Sequence, residues 1–426
     1  MGNGNVSPFS YPPEMTVSTA DDIVLGGSYP SYTSVGSTVP VSLTWEKSTT
    51  YDVGLDLDFF NNRLSVSGDY YRRYTTDMYT ASVALPAVYG TGSPKGNNAE
   101  MKTDGWELSL SWRDSFKLGG KPFDYSIKAM VWDSKSVITK YVNDTGSLGT
   151  VKGFIENGGS PSSYYVGMTV GEIWGYTVAG LFRDQADIDS SAIHDFVQAS
   201  DKVTRPGQVK IADLDGNGFI DPGNFAVDDH GDLRIIGNQS PRYRYGVNLS
   251  ARWNGIGLSV FLQGVGARDW YPGSDAGMFW GKYGRPFFAL IPSIHNYTDD
   301  MYSAERNNWD TAYWPRMTTY QSNGTKNWTR LLEIPNTRYI QSAAYLRVKN
   351  IQLDYSFPKH ICSAIRLQGL KIYVNAENLF TFTPLHKYAP NFDPEGLSYD
   401  SDFASAADGY TYPILKSVTV GVNITF

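Results

Sequence analysis

The residues from Lys416 to Phe426 alternate without interruption and finish on an aromatic side chain. Val418, Val420, Val422, Ile424 and Phe426 share one parity, while Ser417, Thr419, Gly421, Asn423 and Thr425 share the other. Successive side chains of a β-strand point to opposite faces, so this period of two builds one apolar and one polar face. About ten such residues, tilted, suffice to cross the hydrocarbon core of a bilayer. The same pattern could also cover the interior of a soluble β protein, so the rest of the chain has to decide what receives the apolar row.

Composition narrows the choice. A chain of 426 residues can hold one large β architecture or two ordinary domains. It carries 42 glycines, 30 tyrosines and 14% aromatic residues, but only 19% charged ones. That balance is unusual for a soluble enzyme and natural where Tyr and Trp line membrane interfaces and Gly and Asn make turns. The net charge of -7 and a pI near 5.3, with no basic stripe, exclude a nucleic-acid partner. The single cysteine, Cys362, excludes a disulfide framework and a thiolate metal cluster. No run of about eighteen apolar residues occurs, so no membrane helix is expected. The N-terminus lacks a basic segment followed by an apolar core, so no signal peptide is read there, and an exported chain of this kind reads as a fragment.

The closing pattern recurs upstream. Tyr51, Val53, Leu55, Leu57 and Phe59 alternate with Asp52, Gly54, Asp56 and Asp58. Trp106, Leu108, Leu110 and Trp112 alternate with Glu107, Ser109, Ser111 and Arg113. Tyr243 to Trp253 repeats the arrangement with aromatics at both ends of the apolar row, as expected of interfacial girdles. Weaker copies cover Leu64 to Tyr74, Phe123 to Val131, Ile256 to Leu262 and Leu370 to Ala376. Tyr345 to Phe357 places Arg347 and Lys349 in its apolar row, which predicts a bulge or an interfacial position there. These segments predict about nine membrane strands.

Connection lengths test the prediction, because outer-membrane barrels alternate short periplasmic turns with long extracellular loops. The short ones are Asn61-Asn62, Ser115 to Pro122, Asn254-Gly255 and Pro358 to Ile365, Asn254-Gly255 being a strong hairpin signal. The long ones span roughly 80 to 102, 134 to 241, 270 to 342 and 383 to 413. The chain therefore divides into an extracellular loop and strand lead-in at 1–50, four strands at 51–133, and a long excursion at 134–241. A hairpin at 242–269, a loop at 270–342 and three strands at 343–426 complete it. Asp52, Asp56, Asp58, Glu107 and Arg113 are expected to face the lumen, and the first strand to present an unpaired edge.

A family resemblance rests on particular segments. Thr44 to Asp56 (TWEKSTTYDVGLD) resembles a signature of the SusC/RagA-type TonB-dependent transporters, continued by Asn61-Asn62-Arg63-Leu64 and Asp69-Tyr70-Tyr71-Arg72-Arg73. Thr103 to Leu108, Ile235-Ile236-Gly237 with Pro241, Leu346 to Ile351 and Val374 to Thr381 follow in the family's order. The terminal Phe426 resembles the aromatic end by which assembly machinery recognises outer-membrane barrels. The resemblance implies an all-β fold: the C-terminal part of a 22-stranded antiparallel transmembrane β-barrel, about nine strands with long extracellular loops and no plug domain. It also implies the outer membrane of a Gram-negative bacterium, and uptake of oligosaccharides or peptides. The implied partners are a SusD-like surface lipoprotein, outer-membrane lipid, and TonB, acting through an N-terminal part that this chain lacks.

One motif carries site chemistry. Asp213, Asp215, Asn217 and Gly218 follow the D-x-D-x-N-G opening of an EF-hand-type calcium loop, with Phe219 as the carbonyl donor and Asp221 at the ninth position. Asn224 stands where a bidentate Glu is usual, so either the affinity is lower or Asp228 or Asp229 closes the shell; Asx turns without metal would use the same residues. A second cluster, Trp270, Tyr271, Phe279, Trp280, Tyr283, Phe287, Phe288, Trp309, Tyr313, Trp314, Tyr320 and Trp328, could stack on sugars, pack beneath a lid protein, or form the loop's own core. Residues 189–197 suggest one short helix. The five histidines are scattered, and no nucleophile elbow, P-loop or Rossmann fingerprint occurs, so no enzyme is expected. Two rival readings remain: a small passive porin-like barrel, disfavoured by the odd strand count, and a secreted soluble β-rich glycan-binding protein.

Overall fold

The computed structural model describes residues 15–20, 23–35, 43–81, 95–150, 153, 159–194, 204–272, 276–280, 300–316, 332, 334–397 and 414–426. In chain order the strands are β1 (Met15–Thr19), β2 (Ser31–Val35), β3 (Lys47–Phe59), β4 (Leu64–Ala81), β5 (Lys95–Leu118) and β6 (Lys121–Lys140). There follow β7 (Glu172–Tyr176), β8 (Val178–Leu181), β9 (Val209–Ile211), β10 (Leu233–Asn238), β11 (Arg242–Trp253) and β12 (Ile256–Ala267). The last are β13 (Asp269–Trp270), β14 (Gln341–Ser342), β15 (Tyr345–Ser356), β16 (Gly369–Phe382) and β17 (Ser417–Thr425). Nine form one antiparallel sheet in the order β3-β4-β5-β6-β11-β12-β15-β16-β17. All nine segments read from the alternation lie in it.

Register turns nine separate patterns into one surface. Leu57 lies opposite Val66, Val66 opposite Leu110, Leu110 opposite Ala129 and Ala129 opposite Val247. The row runs on through Leu262, Val348 and Phe380, and Val374 lies opposite Val420. A slip of one residue anywhere would have thrown a strand's apolar set to the other face. The apolar face is open: Val53 is 75% exposed and Val420 73%. Tyr51, Tyr70, Trp106 and Tyr245 lie towards one end of this face, while Phe59, Trp112, Phe123 and Trp253 lie towards the other. No helix among the described residues is long and apolar enough to cross a membrane.

At one end of the sheet the connections are tight. Phe60, Asn61 and Asn62 all take positive φ between β3 and β4. Asn254 and Gly255, with φ of 46° and 86°, form the two-residue hairpin that their sequence predicts. Ser115 to Pro122 departs from expectation. Phe116 and Leu118 prolong the apolar row of β5 and Pro122 pairs with Lys117, so the turn shrinks to Gly119-Gly120. Pro358 to Ile365 is also more than a turn: a helix at Lys359–Ala364 buries Cys362. Several strands are longer than a membrane needs, β4 having 18 residues, β6 20 and β5 24. β5 and β6 run past β4 at the tight-turn end as far as Leu118 and Lys121, and the rest of the extra length rises at the opposite end, where the long connections leave.

Those connections build a second layer. There β7 pairs with β10, β8 with β9 and β13 with β14, around a core that includes Trp174, Tyr176, Trp270, Phe279, Trp280, Trp314 and Tyr339. The β1–β2 hairpin lies inside the stretch expected to be only a loop and lead-in, and β3 begins before Tyr51, at Lys47. The short helix expected at 189–197 is displaced to Gln185–Asp189. Asp184 caps it by accepting from the Asp187 N–H at 2.8 Å, which fixes an earlier start, and Ser190 ends it. Residues 195–197 lie outside the described residues.

Candidate functional site: the polar wall and the acidic loop

The polar parity lines the face opposite the apolar row. Asp52 lies beside Tyr71, Asp56 beside Ser67, Asp58 beside Ser65, Glu107 beside Asp69 and Arg113 beside Ser126. Ser65 donates its hydroxyl to Asp58 at 2.5 Å, and the hydroxyls of Ser126 and Ser250 meet at 2.8 Å. Towards the tight-turn end these residues frame a recess lined by Arg113, Asp124, Ser126, Arg252, Ser259 and Asp354, among others. Asp354 is buried there, 3.1 Å from Lys371 and 3.7 Å from Arg252. Opposite it stands Gly257, where a Cβ would fall 2.7 Å from a carboxylate oxygen of Asp354. The missing side chain is what lets the carboxylate lie flat against the wall.

The anomalous row of β15 resolves as the sequence implies. The pairing of β15 skips Lys349 on both sides, Asn350 and Val348 facing Phe261 and Leu262 on one and Glu377 and Phe380 on the other. The extra residue re-aims the strand, so Arg347 joins the polar side instead of the apolar one. Arg347 is only 3% exposed and forms ion pairs with Asp393 and Glu395, while its Nε donates to Thr381 Oγ1. Lys349 reaches Glu395 at 2.8 Å. Burial opposes the charge on Asp393, yet the Glu395 N–H and Arg347 outweigh it and hold this carboxyl below its usual range. The segment after β16 is thereby clamped to the wall.

The acidic motif folds as a run of local turns. Asp213 accepts from the N–H groups of Gly216 and Gly218 at 2.6 and 3.0 Å, and Asn217 Oδ1 accepts from the Phe219 N–H. The Asn217 amide donates to both Asp215 and Asp221. Among the described residues, carboxylate oxygens of Asp213, Asp215 and Asp232 lie within 4.8 Å of one another. Asp232 was not anticipated from the sequence, because it falls outside the twelve-residue frame. It is fully buried, its two oxygens accepting from the Leu214 and Asp221 N–H groups at 2.6 and 3.0 Å. Burial, then the charges of Asp215 and Asp213, push the Asp232 carboxyl up. Asn224 and Asp229 bond to one another instead of joining the trio. Such a donor set of hard oxygens suits calcium.

His194 supports the loop from beneath. Its Nε2 accepts from the Ile211 N–H at 3.0 Å and its Nδ1 lies 2.8 Å from the Ala192 carbonyl, so the ring is held in one neutral tautomer. Burial drives its pKa below the ordinary 6.5. The neighbouring Ile193 forms a bridge with Phe219 of the acidic loop.

The aromatic cluster turns out to be interior. Trp270, Tyr271, Phe279, Trp280 and Trp314 are buried, with Trp314 stacked on Tyr339 at 5.6 Å and Tyr313 on Tyr388 at 3.7 Å. Trp309 is the one exposed large aromatic of the set among the described residues. Tyr283, Phe287, Phe288, Tyr320 and Trp328 lie outside the described residues.

The comparisons with known proteins agree with this architecture. The family model for TonB dependent receptor-like β-barrels matches residues 13–223. TonB-dependent receptor P3 of Formosa agariphila is 26% identical over 393 residues, covering 90% of this chain and 34% of its own length. The chain belongs to the TonB-dependent receptor β-barrel family. SusC of Bacteroides thetaiotaomicron, another TonB-dependent receptor, is 24% identical over 391 residues, again 90% of this chain and 32% of the relative. The chain thus spans about a third of the length of these relatives. Among solved structures, the RagAB peptide importer in its open-open state aligns over 100% of this chain and 39% of its own, with a TM-score of 0.64 and 19% identity. The closed-closed state aligns over 97% with the same TM-score, which establishes the shared fold. Within this family a sheet with one continuous open apolar face is a segment of barrel wall.

Proposed function

We propose that the chain forms part of the wall of a SusC/RagA-like transporter in the bacterial outer membrane, which imports oligosaccharides or peptides. One observation carries the reading: register joins nine strands into an uncovered apolar face, with a charged polar face behind it and every long loop at one end. Lipid hydrocarbon would receive the apolar row. The face bearing Asp56, Glu107, Arg113 and Asp354 would line the lumen, and the loop layer would meet the cell exterior. There a SusD-like lipoprotein would close over substrate, with energy delivered by TonB through a plug. The proposal supposes a barrel of about 22 strands. A soluble glycan-binding protein would have to cover side chains as open as Val53 and Val420, and nothing among the described residues does so. The chain should need lipid or detergent to stay dispersed, and should float with phospholipid vesicles in a density gradient. A folded, monodisperse chain in detergent-free buffer would overturn the assignment.

We also propose that Asp213, Asp215 and Asp232 hold calcium, with Asn217, Asp221 and the Phe219 carbonyl as further oxygen donors. Its role would be to cross-brace the loop layer by offsetting the repulsion among three carboxylates. Calcium at about a hundred times its dissociation constant should stabilise that layer by roughly 2.7 kcal/mol. Thermal unfolding in calcium and in EDTA measures this. Asp232→Asn should abolish the difference, and identical curves for the unaltered chain would remove calcium from the account.

A further inference from the structure

Charged side chains occupy the apolar parity of β4, β5 and β6 at the end where the long loops leave. Arg72 lies opposite Asp104, and Asp104 opposite Lys135, each one step beyond the aromatic level set by Tyr70 and Trp106. Contacts place Arg72, Lys102, Tyr70 and Asp104 on one face: Arg72 Nε is 2.5 Å and Lys102 Nζ 3.1 Å from Asp104, and the Tyr70 hydroxyl donates to the same carboxylate at 3.0 Å; register adds Lys135 opposite Asp104. Arg72 and Lys102 keep 42% and 32% of their side-chain surface open, and Lys135 is exposed.

The charge balance sets this cluster apart from its surroundings. Nearby charges at the same end pair off, Lys47 with Asp77, Lys140 with Glu100 and Arg242 with Asp133. Two cations, Arg72 and Lys102, pair with the single Asp104 carboxylate, and Lys135, opposite Asp104 in the register, has no ion pair among the described residues. Two positive charges are left over at the end of the apolar row, whereas other charges of that parity, Lys47, Asp114 and Asp133, are each paired. A position one step past the aromatic girdle, about 7 Å further along the strand, is where hydrocarbon gives way to headgroups. Arg and Lys there match a doubly charged phosphate, the guanidinium offering parallel donors and the ammonium a point charge.

We infer that Arg72, Lys102 and Lys135 form a binding site for the phosphate of an outer-leaflet lipid headgroup. The inference rests on the bilayer placement proposed above. The site takes a phosphomonoester borne on a lipid, because acyl chains can lie along Leu108, Leu110 and Val131 of the same row. It anchors the outer rim of this part of the wall.

The test uses the full chain in dodecyl maltoside, titrated separately with dioleoyl phosphatidic acid, dioleoyl phosphatidylcholine and inorganic phosphate, with bound molecules counted by native mass spectrometry. Phosphatidic acid should bind at least tenfold more tightly than phosphatidylcholine or free phosphate. The combined variant Arg72→Gln, Lys102→Gln, Lys135→Gln should lose that preference. Lys135→Glu, which breaks no ion pair, should weaken it severalfold in a chain of unchanged fold, whereas Asp104→Asn should strengthen it. Equal binding of the two lipids, free phosphate binding as well as phosphatidic acid, or a Lys135→Glu chain that binds like the original would each overturn the inference. Failure of the bilayer placement looks different: the chain would then be dispersed without detergent and retain neither lipid, and the headgroup site would fall with it.

Discussion

The sheet and the loop layer use apolar residues in opposite ways. In the sheet, Val53, Leu55, Val420 and Val422 stay open, and the strands hold together through ladder hydrogen bonds and side-by-side contacts along one face. In the loop layer, Trp270, Phe279, Trp314 and Tyr339 are wholly enclosed, as in a water-soluble domain. Burial of apolar surface drives folding only where water is the alternative. On the proposed bilayer placement, the difference marks where water would be: around the loops, and not beside the outer row of the strands.

Substitutions can break or sharpen that contrast. Trp314→Ala empties a site ringed by Phe279, Trp280, Tyr313 and Tyr339, and should cost about 3–5 kcal/mol of loop-layer stability in lipid and detergent alike. Limited proteolysis should then cut the loops while the sheet survives; loss of the sheet as well would merge the two regions into one cooperative unit. Next in size is Val420→Arg. In a bilayer it should cost about 2–4 kcal/mol, whereas Thr419→Arg on the other parity should cost far less, as measured by denaturant titration in vesicles. Equal costs would erase the distinction between the faces. The smallest effect concerns pH. Because burial lowers the pKa of His194 in the folded loops, its share of their stability is complete above about pH 6.5 and declines as pH falls below that value. Loop-layer unfolding followed from pH 8 to pH 5 should show this decline, and His194→Gln should flatten it.

How far these features could be read from the sequence depended on the range of the interaction behind them. The strands of the sheet were legible because period-two alternation is local, and Asn254-Gly255 and the misfit of Arg347 and Lys349 in their row were local signals too. The tight turn at Gly119-Gly120 was missed since Asp114 interrupts the apolar row just before Phe116 and Leu118 resume it. Strand length was underestimated for a related reason: Lys95 to Thr103 carries no clean alternation, and its pairing with β4 and β6 is what holds it extended. In the acidic loop, Asp213 and Asp215 stood out by spacing. Asp232 did not, because the β10 side of the loop brings it back from well beyond the motif. The aromatic cluster was visible as composition, but only tertiary packing shows that its rings face one another instead of a ligand.

The central claim is that lipid receives the outward row. Nitroxide labels placed singly at Leu55, Val247 and Val420, and at their neighbours Asp56, Asn248 and Thr419, test it in vesicles by collision with oxygen and with a water-soluble nickel chelate. The account predicts strict alternation, with the first three reached by oxygen and shielded from nickel and the second three showing the reverse or reached by neither. Labels at Leu55, Val247 and Val420 that collide freely with nickel, or with neither reagent, would contradict it.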